Sequence, residues 1–475
     1  KIVVIVDNPD NIIKRDMIEN ILQTKAVKYV AASRQDIWKF IEYFYGIYDP
    51  AKADDDLLAE ENNEAKQEAE TDEPAEDVNI IKIVNDAIDY AYDRRASDIH
   101  IEPDVKDRVV NFRLRIDGEC IHYKTFPYEY HAAIVSRIKI MSNLDITEKR
   151  LPQDGKIKYK VPGVEEIELR VATLPTHGYV EDVVLRLLTR GKIMTLEELR
   201  MPDEIYNNFK AQLTKPYGLI LLVGPTGSGK TTTAHAALHI INKPNIKIWT
   251  AEDPVEITQQ GIRQLQVHHK IGLGFAAAMR SFLRADPDVI MVGEMRDHET
   301  AKMGIEASTT GHLVMSTLHT NNAPETIVRL LDIGIDPFAF ADSLLCVLAQ
   351  RLVRCLCVKC KDAYHPTPAE YAELAHHYGE KAFAALNIAG YDKLLLYRAR
   401  GCAECNNMGY RGRTGIFELL IATDNIKQMI VNRKSIAAIR KTAMTEGMRT
   451  LLQSGVRKVL DGETDLMEVL SVCIR

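Results

Sequence analysis

The spacing of hydrophobic residues changes several times along this chain, and each change marks a different kind of element. Two short apolar runs, 2–6 and 28–32, read as strands with a helical stretch between them and another after. In the second stretch Ile37, Phe40, Ile41 and Phe44 recur at helical spacing, and Ser33 with Asp36 forms a capping pair. This is half of a small α/β domain. Apolar residues then nearly vanish until Val78, where Ile81, Val84, Ile88 and Ala91 make one helix face. Alternation at Val110, Phe112, Leu114 and Ile116 predicts a half-buried strand with Arg113 and Arg115 together on its polar face. Further alternation from Ile157, around 169–171 and over 183–187 extends that sheet. After Thr189-Arg190-Gly191, read as a hinge, and a polar helix, the pattern changes at about Tyr217 to unbroken apolar runs separated by helices. That order predicts a parallel sheet with helices on both faces.

The chain has 475 residues, enough for about three domains at roughly 150 residues each. The pattern divides it into a partial N-terminal domain (1–48), a linker (49–77), a second domain (78–188), a connecting segment with a helix (189–216) and a large C-terminal domain (217–475). The opening at a lysine is read as a trimmed start. The net charge of −7 is no footprint for non-specific nucleic-acid binding. Most of that acidity has one address: residues 51–77 hold twelve acids against Lys52 and Lys66, a net −10, which leaves +3 for the rest. Such a segment predicts a flexible, self-repelling tether. No window approaches the 18 or so continuous apolar residues of a membrane span. Eight cysteines, mostly in the last third, are not spaced as a disulfide scaffold and point to a reducing cytoplasm.

Leu219 to Val223 form a buried-strand pattern that runs into Gly224-Pro225-Thr226-Gly227-Ser228-Gly229-Lys230-Thr231-Thr232. This is a phosphate-binding loop in its proper context, with a strand before it and a helix after. The glycines let backbone N–H groups turn toward phosphate oxygens, Lys230 neutralises the β and γ phosphates, and the Thr231 hydroxyl is placed for Mg²⁺. Downstream, Val289-Ile290-Met291-Val292 end in Gly293-Glu294, Ile246 to Trp249 lead to Glu252-Asp253-Pro254-Val255-Glu256, and Leu313 to Met315 lead to Ser316-Thr317-Leu318-His319. A parallel sheet delivers such strand ends to one edge, where an acid orients Mg²⁺ or the attacking water. Strand-end acids are common turn formers and a lone histidine is usually structural. It is their convergence beside a phosphate loop that makes Glu294, Glu252 and His319 candidates.

Cys357-x-x-Cys360 and Cys402-x-x-Cys405 are thiolate pairs at the spacing of a closed, structural Zn²⁺ site, flanking a mainly helical insertion around 355–408. Cys355 is near enough to compete as a ligand, whereas Cys120, Cys346 and Cys473 read as packing residues.

Taken together, GPTGSGKTTT, AEDPVE, LRADPDVIMVGEMRD, STLHTNNA, the two CxxC pairs and GYRGRTGIFELL resemble the bacterial secretion ATPases of type II secretion and type IV pilus assembly. RASDIHIEP and FRLRIDG extend the resemblance back to about residue 78, and the first 48 residues share it more loosely. One departure is His177 to Asp182, where the family usually shortens the turn. The resemblance implies a RecA-like P-loop ATPase domain preceded by a PAS-like α+β domain and a partial N-terminal α/β docking domain. It implies a homohexameric cytoplasmic motor, peripheral at the inner membrane through its partners, that hydrolyses ATP with Mg²⁺. The expected partners are an inner-membrane platform protein and cytoplasmic docking proteins. Glu294 matches the Walker B acid, His319 the histidine box, and Glu294 or Glu252 positions the water. Arg113 and Arg115 match arginines supplied to a neighbouring subunit's nucleotide, with Arg280 and Arg284 as further candidates.

A pilus retraction motor is the nearest rival, but it normally lacks the cysteine quartet and the additional N-terminal domain. A DNA-transfer ATPase wants a basic channel with stacking aromatics, against 7% aromatic content here. A slow nucleotide-dependent assembly scaffold would not need Glu294 and His319. Pilus and secretion machines are not distinguished.

Overall fold

The computed structural model describes residues 2–6, 27–32, 75–161, 163, 166–188, 193–388 and 390–473. The helical stretches expected between the first two strands and after the second, nearly all of the acidic tether and the hinge at 189–191 lie outside these. The chain forms two compact units, Lys1–Thr189 and Arg190–Arg475.

In the first unit, β1 (Ile2–Val6) and β2 (Val27–Ala31) pair in parallel. Next come α1 (Ala75–Asp93), β3 (Asp98–Asp104), β4 (Val109–Ile116), β5 (Glu119–Pro127), α2 (His131–Met141), β6 (Gln153–Lys160), β7 (Glu166–Pro175) and β8 (Glu181–Leu188). The six later strands form one antiparallel sheet in the order β5-β4-β3-β8-β7-β6. Period two decides its faces: Val110, Phe112, Leu114 and Ile116 are buried while Arg113 and Arg115 remain half-buried on the other side. Val84, Ile88 and Ala91 of α1 and Ile134 and Ile138 of α2 are also buried. A charge pair lies among them, with Lys139 Nζ 2.6 Å from Glu181 Oε1 and donating to the Glu148 carbonyl at 2.7 Å. Removal of one partner would leave the other buried and uncompensated.

The second unit contains α3 (Asp203–Leu213), β9 (Gly218–Val223), α4 (Lys230–Ile241), β10 (Ile248–Glu252), β11 (Ile262–Gln266), α5 (Phe275–Phe282), β12 (Val289–Val292), α6 (His298–Thr309), β13 (Leu313–Leu318), α7 (Ala323–Asp332), α8 (Pro337–Ser343) and β14 (Leu344–Leu356). It continues through β15 (Asp362–Tyr364), α9 (Pro368–Tyr378), α10 (Glu380–Ala384), β16 (Leu396–Arg398), β17 (Tyr410–Ile421), α11 (Asp424–Val431), α12 (Ile436–Thr445), α13 (Leu451–Leu460) and α14 (Leu466–Cys473). The sheet order is β11-β10-β12-β13-β9-β14-β17, parallel except for β17, which runs antiparallel to β14. Strand β9 is buried throughout, and its alternate residues enter two cores. Leu219, Leu221 and Val223 pack with α5, α6 and α7, whereas Ile220 and Leu222 pack with α3 and α4. Helices therefore cover both faces, as a parallel sheet requires.

One expected boundary moves. The segment 189–216 was expected to connect two domains, yet Leu196, Met201, Phe209 and Leu213 are buried in the same core as Ile220 and Leu222. Polar residues dominate the helix, but its few apolar ones form a single stripe, enough to dock it. The insertion between the cysteine pairs is mainly helical, with α9 and α10 beside the small β15–β16 sheet. Among the described residues, no helix is long and apolar enough to cross a membrane.

Candidate active site

Strand β9 ends at Val223, and the chain turns sharply into Gly224–Gly229 before α4 begins at Lys230. Gly224 has φ +150°, and a Cβ there would stand 2.3 Å from the Gln350 carbonyl oxygen. Gly227 and Gly229 take left-handed φ values of +78° and +84°. The loop is thus shaped by glycine where no L side chain is comfortable. Its backbone leads into the amino end of α4, where unpaired N–H groups and the helix dipole favour an anion. The Ser228 hydroxyl is buried without a hydrogen-bond partner. Lys230 is also buried and donates to the carbonyls of Gly224 at 2.7 Å and Pro225 at 2.9 Å. Burial pushes its amine down to about 8, with the Glu294 charge opposing. A buried cation satisfied only by neutral carbonyls, next to an orphan hydroxyl, fits an incoming phosphate group.

A second layer holds the loop. Gln350, in β14, accepts from the Thr233 hydroxyl at 2.6 Å and donates to the Ser228 carbonyl at 2.7 Å. It therefore ties loop and helix to the neighbouring strand. The sequence signal was present but unread: Gln350 and Arg351 break the apolar run that opens the strand, and both are buried.

The strand order explains which candidates meet. Strand β13 lies between β9 and β12, so His319, just past the end of β13, stands between the phosphate loop and Glu294. His319 Nε2 is 3.5 Å from Glu294 Oε2. Burial and the nearby Lys230 charge hold this imidazole below its ordinary range, against the pull of Glu294. It is therefore neutral near pH 7, with one nitrogen donating and the other accepting. The Ser316 hydroxyl donates to Val292 O at 2.7 Å and the Thr317 hydroxyl to Gly293 O at 2.6 Å, fastening the two strand ends together. Arg296, which the motif reading passed over, donates to Glu294 at 2.6 Å from an exposed position.

Glu252 is placed differently. It is 3% exposed, and its carboxylate accepts from the Thr250 hydroxyl at 2.6 Å, from Gln264 Nε2 at 2.9 Å and, through Oε2, faces His235 Nε2 at 3.2 Å. His235 lies in α4, and its Nδ1 faces Gln259 Oε1 at 3.1 Å. Burial opposes ionisation of both groups, but their mutual attraction and hydrogen bonds win, raising His235 and lowering Glu252 relative to their ordinary values. Glu252 thus faces a buried imidazole whose protonated form it favours, while Glu256 in the same box is exposed.

Arg113 and Arg115 lie in the first unit. Arg113 makes a two-pronged contact with Glu102, both bonds 2.6 Å, and Arg115 donates to Gly118 O at 2.9 Å. Both keep about two-fifths of the side chain exposed. Arg280 pairs with Glu299 on the surface.

The four cysteine sulfurs gather at the far end of β14, within 4.8 Å of one another, and Cys355 is not among them. Separations of 3.9 Å (Cys357 to Cys402), 3.8 Å (Cys360 to Cys405) and 3.7 Å (Cys402 to Cys405) lie far above a disulfide. They match the edge of a tetrahedron whose centre is about 2.3 Å from each thiolate, the Zn–S distance. Backbone N–H groups of Cys402 and Gly409 point at Cys405 Sγ, each at 3.2 Å, as in sites that carry thiolate charge.

This strand, glycine turn and helix, with acid and imidazole at neighbouring strand ends, define a phosphate-loop nucleotide-binding ATPase. Residues 73–471 match the family model described as type II/IV secretion system protein. The chain belongs to that family, and it is an ATPase. It is 42% identical over 478 residues to the type IV pilus assembly ATPase PilB of Myxococcus xanthus, covering 99% of this chain and 82% of that protein. It is 45% identical over 402 residues to the type II secretion system protein E of Pseudomonas aeruginosa, covering 84% of this chain and 76% of that one. Among solved structures, the pilus retraction motor PilT with bound ADP aligns with a TM-score of 0.53 at 25% identity, over 83% of this chain and 96% of that one.

The Glu252–His235 pair predicts a pH signature. The raised His235 contributes stability below its unfolded value of 6.5 and loses it as pH rises through the folded value. The lowered Glu252 contributes above 4.5 and loses it as pH falls through the folded value. The melting-temperature gap between the wild type and His235→Gln should therefore be widest between pH 4.5 and 6.5 and narrow above it. A gap constant with pH would show that the pair is uncharged.

Proposed function

We propose that this chain is the subunit of a hexameric motor that couples ATP hydrolysis to assembly of a type IV pilus or a type II secretion pseudopilus. In this reading it works at the cytoplasmic face of the inner membrane, on a platform protein and with cytoplasmic docking proteins, without nucleic acid. The reading is supported by relatives of both kinds at above 40% identity. One observation carries the chemistry: phosphate loop, Glu294 and His319 share one sheet edge, His319 within 3.5 Å of Glu294. We also read the second unit as RecA-like and the six-stranded sheet with α1 and α2 as PAS-like.

In the proposed cycle, residues 224–232 receive the triphosphate, and Lys230 leaves its two carbonyls for β and γ oxygens. Thr231 and Glu294 would hold Mg²⁺, which when bound neutralises phosphate charge. Glu294 is favoured over Glu252 for orienting water, because the Glu252 oxygens are taken up by Thr250, Gln264 and His235 in the interior. Neutral His319 donates toward the γ phosphate without adding a charge that would bias the ground state. Arg296 must release Glu294 as the site fills. Arg113 and Arg115, held at a defined height by Glu102 and Gly118 yet still exposed, would reach a neighbouring subunit's nucleotide. Cys357, Cys360, Cys402 and Cys405 would hold a structural Zn²⁺ that pins the helical insertion to β14.

Glu294→Gln should retain nucleotide affinity within a few-fold while turnover falls at least about 100-fold; ATPase assays beside fluorescent-nucleotide titration decide this, and wild-type turnover would remove Glu294 from its role. Hexamers mixed from wild-type and Arg113→Ala/Arg115→Ala chains should lose activity faster than the mutant fraction rises. Strictly proportional loss would mean that the arginines serve only their own subunit. Elemental analysis should find one zinc per chain, lost on Cys402→Ser, and a folded, metal-free wild type would overturn the assignment.

A further inference from the structure

The segment GYRGRTGIFELL contains an acid that the proposed chemistry does not use. Glu418, in β17, is 2% exposed. Its Oε1 accepts from the Ala323 backbone N–H at 2.7 Å and its Oε2 from the Leu451 backbone N–H at 3.3 Å. Ala323 is the first residue of α7 and Leu451 the first residue of α13. One carboxylate therefore serves the amino ends of two helices that are more than a hundred residues apart in sequence. The arrangement suits an anion, because each helix presents unpaired N–H groups and the positive end of its dipole there. Burial still pushes the carboxyl above its ordinary range, and the two N–H groups and Arg440 only partly offset this. An acid kept at such depth, at such a cost, specifies an arrangement more than it adds stability.

What it specifies lies four residues from His319. Only Thr320, Asn321 and Asn322 separate His319 from Ala323, and each is tied to α7 or its surroundings. The Thr320 and Thr326 hydroxyls are 2.6 Å apart, Arg351 donates to Asn321 Oδ1 at 3.1 Å, and the Asn322 side chain caps α7 at Glu325 N–H, 3.0 Å. The short segment cannot move independently of the first turn of α7, and Glu418 fixes that turn against α13. We propose that Glu418 is a positioning residue for the hydrolysis site, its carboxylate bridging α7 and α13 so that the C-terminal helices set the placement of His319. This rests on the assignment of His319 to the hydrolysis site made above.

The test is Glu418→Gln in the full chain. Glutamine is nearly isosteric, but only its oxygen accepts, and its NH₂ would confront one of the two N–H groups. Turnover should fall about tenfold or more, with KM for MgATP changing less than about twofold. The imidazole resonance of His319 in histidine-labelled protein, assigned by its loss in His319→Gln, should shift. Ser454→Ala is the control for general loosening of this core: Ser454, in α13, is buried, and its hydroxyl accepts from Phe417 N–H of β17, next to Glu418 in sequence. It should leave both the His319 resonance and turnover within about twofold of wild type. If Glu418→Gln does not fold, Glu418→Asp keeps the charge and shortens the reach, and the same readouts apply. An unmoved His319 resonance, or losses that match those of Ser454→Ala, would overturn the proposal. If the wild-type chain itself fails to hydrolyse ATP, the functional reading falls, and the resonance still decides whether Glu418 places His319.

Discussion

The site depends on how closely β14 approaches the phosphate loop. The Gln350 carbonyl comes within 2.3 Å of where a Cβ on Gly224 would lie, and the Gln350 side chain grips Ser228 and Thr233 on either side of the lysine. A glycine-rich loop left alone would lose much of its conformational order, since glycine has the most freedom to give up. Two hydrogen bonds from a single buried amide supply that order. Such prearrangement is what electrostatic catalysis requires, because donors already in place cost nothing to reorganise when charge develops.

The same site shows two ways to use a carboxylate. Glu294 keeps some exposure and faces a neutral histidine and a surface arginine, so both partners can yield to a ligand. Glu252 is surrounded by two donors and an imidazole whose protonated form it favours. Both end strands of one sheet and carry the same functional group. Burial and the number of committed partners, not residue type, separate a reactive acid from a structural one.

That distinction marks the limit of what was legible in the sequence. Local signals were clear: the apolar run into the glycine loop, the alternation that leaves Arg113 and Arg115 on one polar face, the spacing of both cysteine pairs and the helical character between them. Each depends on neighbours within a few residues. What could not be read were pairings at long range. Thr233 and Gln350 are 117 residues apart, and Ala323 and Glu418 are 95. The interposition of β13 between β9 and β12, which brings His319 to Glu294, is likewise a property of strand order. Apolar periodicity is blind to strand order, because every central strand of a parallel sheet looks alike. The docking of α3 was missed for a related reason: a stripe of few apolar residues on a polar helix acquires meaning only when there is a surface to receive it.

Strand β14 carries Gln350 in its middle and runs directly into Cys357. At about 3.3 Å per residue, the amide that shapes the phosphate loop and the cysteine quartet stand roughly 23 Å apart along one strand, which pairs with β9 up to Ala349 and with β17 as far as Leu356. Such a strand resists stretching because, outside the register shift between Arg354 and Leu356, its peptide dihedrals are already near full extension. A pull or push on the cysteine knuckle would reach the nucleotide loop with little lost to elastic slack, so β14 can serve as a strut along which load is carried.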